Sequence, residues 1–317
     1  MRCLRPPPAT PDGFLEGLAR VLSLTLLLHA APAAVAADFP VEEIAPGVFV
    51  HRGAHVSIED EGRGDSANIG FIVGERCVAV IDTGGSRATG MALRAAIRAR
   101  TPLPVCYVID THAHFDHVLG NAAFVADGTE FVGHAALGAA LDASRDYFAE
   151  RFAQELAGPA SDVVLPTLLV DGERELDLGN RPLRLTAVAE AHTSADLTVF
   201  DAQTGTLWSG DLVFMERLPV LDGSLRGWLA WIDQTRGARV ERVVPGHGPV
   251  AAPWPAALEA ERVYLSGLLE AARAAVREGR FLEDLAAEAR DHPPAGWLLT
   301  EPHARNASRA YREVEWE

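Results

Sequence analysis

The sequence predicts an α/β fold in four layers, two β-sheets face to face with helices outside. Two observations carry this. Each half of the chain is a run of short apolar, strand-like segments followed by helical ones, and β-sheets that bury one face on each other leave the other face to helices. No Pro/Gly/Ser-rich linker separates the halves and no tandem repeat is visible, so both belong to one domain.

The elements follow in order. Arg2, Arg5 and Arg20 precede an apolar run at 21–28, and small residues end at Ala34-Val35-Ala36. This is the order of a secretory signal peptide, placed at 1–36, with the mature domain at 37–317. The run is too short to span a membrane, no Arg-Arg pair precedes it and no Cys sits at the cleavage site, so the expected location is periplasmic or secreted without a stable membrane anchor. Segments 48–50, 67–73 and 77–81 read as strands. Gly84-Gly85-Ser86 opens a helix with Met91, Ala95 and 97–99 as its inner positions. The continuous apolar run 105–109 reads as a buried parallel strand, and 131–132 as another. A long helix follows Gly133-His134 and stops near Gly158-Pro159. Strands are then expected at 168–170, 183–188, 197–200, 206–209 and 243–244, with a helix at 228–235. Helices at 255–278, stopped by Gly279, and at 282–290 precede a Pro293-Pro294 break and a short tail.

Composition narrows the function. The chain has 317 residues, a formal charge of −16, eleven His and three Cys, and all 28 of its basic residues are Arg. Without Lys there is no Schiff-base chemistry and no phosphate-loop lysine. The acidity disfavours nucleic acid as a partner and leaves a small molecule as the expected substrate. Three Cys cannot build a disulfide scaffold or a four-Cys zinc site. Removing the leader's three Arg, one Asp and one Glu leaves a mature charge of −17.

The central signal is Thr111-His112-Ala113-His114-Phe115-Asp116-His117, directly after the buried strand. On a strand–turn–helix exit, His112 and His114 face one side and Asp116 and His117 another, which suits two nearby metal ions better than one. Three later segments each end a strand with one candidate ligand: His192 in Ala191-His192-Thr193, Asp211 in Ser209-Gly210-Asp211, and His247 in Pro245-Gly246-His247-Gly248.

With these residues the chain resembles the metallo-β-lactamase-fold superfamily over nearly all of the mature sequence. The likeness extends to Ile81-Asp82-Thr83-Gly84, which is similar to the family's first loop motif. The resemblance implies that both sheets are mixed. It also implies that one zinc takes His112, His114 and His192, the other takes Asp116, His117 and His247, Asp211 bridges them, and Asp82 supports the site from behind. The drug-hydrolysing members of the zinc-dependent subclass with a Cys ligand carry that Cys where this chain has Asp211; glyoxalase II-like and lactonase-like members carry Asp. The leader, the stretch 214–224 and the ending 305–317 resemble the quinoprotein relay system zinc metallohydrolases, exported proteins associated with quinoprotein dehydrogenases and c-type cytochromes.

The expected activity is hydrolysis of an ester, thioester, lactone or amide by a water that two zinc ions share and activate, with Asp116 as the catalytic proton carrier. Two other readings stand beside it: a mononuclear iron persulfide-type dioxygenase on the same fold, and a non-catalytic metal- or partner-binding module of a periplasmic electron-transfer system. Arg217 and Asp222 are candidate pocket residues, the competing reading being an ordinary loop ion pair. His134 reads as structural. His51 and His55 flank a Gly-rich loop, 53–65, that reads as a flap, while His292 and His303 read as exposed. Cys77 and Cys106 read as buried thiols on neighbouring strands, though an oxidising compartment permits a bridge. Asn306-Ala307-Ser308 matches a glycosylation acceptor too easily by chance to be used.

Overall fold

In a computed structural model, residues 39–125, 128–157 and 163–317 are described, and they fall within one unit, Ala36–Glu317. The leader predicted at 1–36 and the helix stop at Gly158-Pro159 lie outside the described residues. The first sheet runs in sequence order: β1 (Glu42–Ala45), β2 (Val48–His51), β3 (Ile69–Val73), β4 (Val78–Ile81), β5 (Val105–Ile109), β6 (Glu130–His134) and β7 (Leu168–Val170). It is antiparallel from β1 to β4 and parallel from β4 to β7. The second sheet contains β8 (Glu173–Asp177), β9 (Pro182–Val188), β10 (Asp196–Asp201), β11 (Thr206–Phe214), β12 (Arg242–His247) and β13 (Ala252–Pro253), paired in sequence order. Only its β11–β12 pair is parallel. Both sheets are therefore mixed.

The helices are α1 (Arg87–Arg98), α2 (Phe115–Val118), α3 (Leu137–Arg151), α4 (Ala153–Leu156), α5 (Leu225–Thr235), α6 (Glu259–Arg277), α7 (Leu282–Asp291) and α8 (His303–Val314). The core divides into layers. Ile72, Ile81, Ile109 and Val132 of the first sheet meet Leu185, Leu197, Val199 and Trp208 of the second in one apolar cluster. Outside the first sheet, Phe71 and Val80 pack on Leu93 and Ile97 of α1. Outside the second, Val213 and Val243 pack with Trp228 of α5, Leu265 of α6 and Ala310 of α8. This is the four-layer αββα sandwich expected from the sequence. No helix among the described residues is long and apolar enough to cross a membrane.

Several elements differ from expectation. In α1 the Ser86 hydroxyl caps Thr89 N, as a Ser N-cap does, but the buried face is Thr89, Gly90, Leu93, Ala96 and Ile97. Met91 and Ala95 are exposed, because the helical period of 3.6 is set by Leu93 rather than by Met91. The strand predicted at 206–209 continues to Phe214, and that at 243–244 continues to His247. Gly210 suggests a strand end, yet it only shifts the register while pairing continues past it. The tail carries α8, whose Asn306 is fully buried, and His303 is half-buried against Tyr264. Cys77 and Cys106 are joined as a disulfide rather than standing as thiols; adjacent strands place their Cα atoms 5.7 Å apart.

Candidate metal centre

All seven predicted ligand residues converge at one rim of the sandwich. His112 and His114 lie on the loop after β5, Asp116 and His117 on the single turn of α2, and His192 on the β9–β10 loop. Asp211 and His247 sit on the far halves of β11 and β12. They form two groups, His112, His114, His192 and Asp211 in one and Asp116, His117 and His247 in the other, each with its donor atoms within 4.8 Å.

Local backbone makes the convergence possible. Gly246 stands so close to Asp211 that a Cβ would lie 2.0 Å from its Oδ1. Gly210, at φ +51°, leaves space that a Cβ would close against the Thr111 hydroxyl. Asn68 ties the sheets together at this rim: its backbone N–H donates to Gly246 O at 2.8 Å and its Nδ2 to Pro245 O at 2.9 Å. Asp82 holds a left-handed backbone at φ +53°, a costly conformation for a residue with a side chain and one that gathers at functional sites.

The partners of the five imidazoles fix their tautomers. His192 Nδ1 donates to Val220 O at 2.7 Å, and His247 Nδ1 to Ser66 O at 2.8 Å. His117 Nδ1 donates to Asp82 Oδ2 at 2.7 Å, and His114 Nε2 to Asp222 Oδ2 at 3.0 Å. The Thr111 hydroxyl gives its proton to Asp82 Oδ2 at 2.8 Å, so it accepts from His112 Nδ1 at 3.0 Å. Every ring thus spends its N–H on an outer acceptor and turns a lone pair inward. His192 Nε2 and His114 Nδ1 are 3.0 Å apart with no proton between them on this assignment, and two acceptors cannot bond to each other.

Asp211 divides its carboxylate between the groups. Oδ2 lies 3.6 Å from His112 Nε2 and 3.4 Å from His192 Nε2. Oδ1 lies 3.1 Å from His117 Nε2 and 3.3 Å from His247 Nε2. His112 Nε2, His117 Nε2 and Asp211 Oδ1 are buried without a hydrogen-bond partner. A buried polar atom without a partner carries a desolvation cost, and divalent cations held in the two groups would offset it. The residues fit metal ions: inward lone pairs, outward N–H groups held by acceptors, and carboxylates between them.

The electrostatics agree. Burial pushes the His192 imidazole down to about 3. Burial and the neighbouring His117 push His112 well down, and burial and the Arg217 charge lower His247, so all three favour the neutral form that ligates. For Asp211 burial opposes ionisation, but His247, His117 and His112 outweigh it and hold the carboxyl well below its ordinary range. His117 is drawn upward because Asp211, Asp82 and Asp116 outweigh its burial. A metal cation held in the same field would take the place of that proton.

Of the other sequence candidates, Asp82 accepts from both Thr111 and His117, the supporting position expected of it. Arg217 lines a cavity of about 440 Å³ over the centre, and its buried Nε has no partner. Asp222 also borders the cavity, but instead of forming a simple loop pair it takes His114, Arg305 and Arg309. His134 closes a turn by accepting from Ala136 N. His51 is buried and bonded to Pro40 O and Asp65, while His55 pairs with Glu216 at 2.7 Å. The cavity is lined from the 53–65 loop by Val56, Ser57, Ile58 and Arg63 rather than by either His. The sequence reading missed Ser66, whose hydroxyl donates to Asp116 Oδ2 at 2.9 Å, and the cavity wall of Phe115, Tyr147 and Phe148. It also missed Arg305 and Arg309, although their spacing of four places them on one helix face.

A search of curated protein sequences finds no significant match. Among solved structures, the chain is similar to a metallo-beta-lactamase from Pontibacter korlensis at a TM-score of 0.57 and 20% identity, covering 72% of this chain and 99% of that one. It is also similar to the stereoselective inverting sec-alkylsulfatase Pisa1 from Pseudomonas sp., at a TM-score of 0.63 and 17% identity, over 87% of this chain and 50% of that longer one. At these identities the likeness is one of fold. The family model described as "Metallo-beta-lactamase superfamily" matches residues 62–247. That stretch holds every residue of the two groups, so the fold and the family match converge: this chain belongs to the metallo-beta-lactamase superfamily, a family of metal-binding proteins that are generally hydrolases.

Proposed function

We propose that this protein is an exported dinuclear zinc hydrolase of acyl-type substrates, meaning an ester, thioester, lactone or amide. The observation that carries the reading is the Asp211 carboxylate, whose two oxygens face different groups of imidazoles. One ion would take His112, His114 and His192, the other Asp116, His117 and His247, with Asp211 common to both. Such ions supply a water acidified toward neutral pH and a Lewis acid for the scissile carbonyl.

The remaining work belongs to the chain. Asp116 is the proton carrier: its Oδ2 lines the cavity and takes a hydrogen bond from Ser66, which fixes the carboxylate's direction. Arg217 lines the cavity, so its guanidinium is the group that would hold a substrate carboxylate in a chain without Lys. Phe115, Phe148, Val220 and Leu299 give the cavity apolar walls for the rest of the substrate.

Export rests on the leader pattern at 1–36 and gains support from the Cys77–Cys106 disulfide, which persists in an oxidising compartment such as the periplasm. Association with a quinoprotein dehydrogenase or c-type cytochrome rests on the family likeness of 214–224 and 305–317 alone. The test is metal analysis of purified protein joined to a panel of chromogenic esters, thioesters, lactones and β-lactams, with Asp211→Ala as control. Two zinc ions and Asp211-dependent turnover support the proposal. A single iron points to the dioxygenase reading, and a metal-loaded protein without turnover on any member points to the binding module.

A further inference from the structure

Two of the three histidines of one group, His114 and His192, take their outer support from one short loop, 219–224, while His112 takes its own from Thr111. His192 donates to Val220 O, and the backbone N–H groups of Asp222 and Gly223 donate back to His192 O at 3.0 and 2.7 Å. His114 donates to Asp222 at 3.0 Å. Leu221 roots this loop in the core, and a second element templates its polar groups.

The template is α8. Arg305 and Arg309 reach Asp222 Oδ1 at 3.2 and 3.1 Å. Asn306, fully buried, accepts from Leu221 N at 3.0 Å and donates to Pro219 O at 2.7 Å. Glu313 accepts from Ser224 Oγ, Leu225 N and Arg226 N at 2.7–3.0 Å. These residues recur at helical spacing, so one face of α8 grips the loop while Ala307, Ala310 and Val314 seat the helix in the core. Yet α8 lies more than fifty residues beyond the family match at 62–247. The other group, Asp116, His117 and His247, draws its bonds from Ser66 and Asp82, with Arg217 Nη1 3.3 Å from His247 Nδ1, and makes none to α8 among the bonds described.

We infer that α8 is a working part of the three-histidine site: through Arg305, Arg309 and Asp222 it fixes the rotamer and tautomer of His114, and so sets the affinity of that site for metal. Asp222, Arg305 and Arg309 are positioning residues. The inference rests on the dinuclear reading above, and the experiment separates the two. Zinc is titrated into metal-free full-length protein against a chromogenic chelator, and cobalt-loaded samples are followed by visible absorption. The variants are Asp222→Asn and the double variant Arg305→Ala/Arg309→Ala, with thermal melting as the check on folding.

In the wild type, two sites are expected. Asp222→Asn should weaken one of them about 10–100-fold, the usual effect of removing an outer partner of a ligating imidazole, and alter the cobalt spectrum. The double variant should weaken the same site by a smaller factor, and Arg305→Lys/Arg309→Lys should recover part of it by restoring charge. Both arginines are half-exposed, so their truncation opens no core cavity and decides the matter even if Asp222→Asn fails to fold. Two wild-type sites with unchanged affinities in the double variant overturn the inference, as does an equal loss at both sites. Fewer than two sites in the wild type overturn the dinuclear reading, and this inference with it.

Discussion

The two groups of candidate ligands both face the Asp211 carboxylate and differ in what stands behind them. Asp116, His117 and His247 are braced by the first sheet: Asp82 follows β4, Ser66 precedes β3, and Asn68 stitches that sheet to the β12 end. His114 and His192 are braced by a loop that a C-terminal helix holds in place. The first kind of support comes with the sandwich itself. The second is added by a helix beyond the family match, so the two proposed sites are expected to answer differently to mutation.

The largest effect is expected where the comparison collapses. Asp211→Ala removes the carboxylate that faces both groups, and turnover should fall on the order of 10²–10³-fold or more, the scale of losing one preorganised electrostatic stabiliser. Metal analysis should show loss at both sites rather than one. Next comes Asp82→Asn, which replaces the charged acceptor behind His117. It should weaken the Asp116/His117/His247 site about 10–100-fold in a chelator competition and spare the three-histidine site more, the mirror image of Asp222→Asn. Asp82 also holds Thr111, which carries His112, so some spread is expected; equal loss at both sites contradicts separate bracing. Ser66→Ala removes a single hydrogen bond to Asp116, worth about 1 kcal/mol, and a few-fold loss at that same site should be read in the same titration.

The smallest effect concerns the strand that carries Asp211. Glu261 of α6 is fully buried behind β11, where Oε1 accepts from Phe214 N at 3.0 Å and Oε2 has no partner. Burial raises its pKa well above the ordinary 4.5, against the Phe214 hydrogen bond. The folded state therefore binds a proton that the unfolded state releases. Stability should decline as pH rises from about 4.5 toward the raised folded value and level off above it. Glu261→Gln keeps the Phe214 bond and removes this slope, so melting temperatures of variant and wild type should differ little near pH 4 and favour the variant near pH 8. Parallel melting curves across that range contradict the assignment.

Much of this was legible in the sequence for a physical reason. Ligands that leave strand ends in short runs, such as His112 to His117, announce themselves locally, and the apolar runs around them define the sheets. What depended on distant contacts was not legible. Nothing in Ser209-Gly210-Asp211 says that β11 continues, because β12 supplies the pairing that carries the strand past Gly210. Nothing in Cys77 or Cys106 alone says that β4 and β5 align them for a bond. α8 was hidden most deeply, since it buries small residues and Asn306 rather than an apolar stripe, and its arginines act on a residue more than eighty positions earlier. The local sequence names the candidate ligands, and tertiary structure names what holds them.

Cadmium NMR of the fully loaded protein tests the central claim most directly, because each bound cadmium reports its own ligands. The account predicts two signals of distinct shift, both lost or strongly perturbed in Asp211→Ala, one moved selectively by Asp222→Asn and the other moved more by Asp82→Asn. A single cadmium signal in the wild type, or two signals that Asp211→Ala leaves in place, would contradict a centre of two sites sharing one carboxylate.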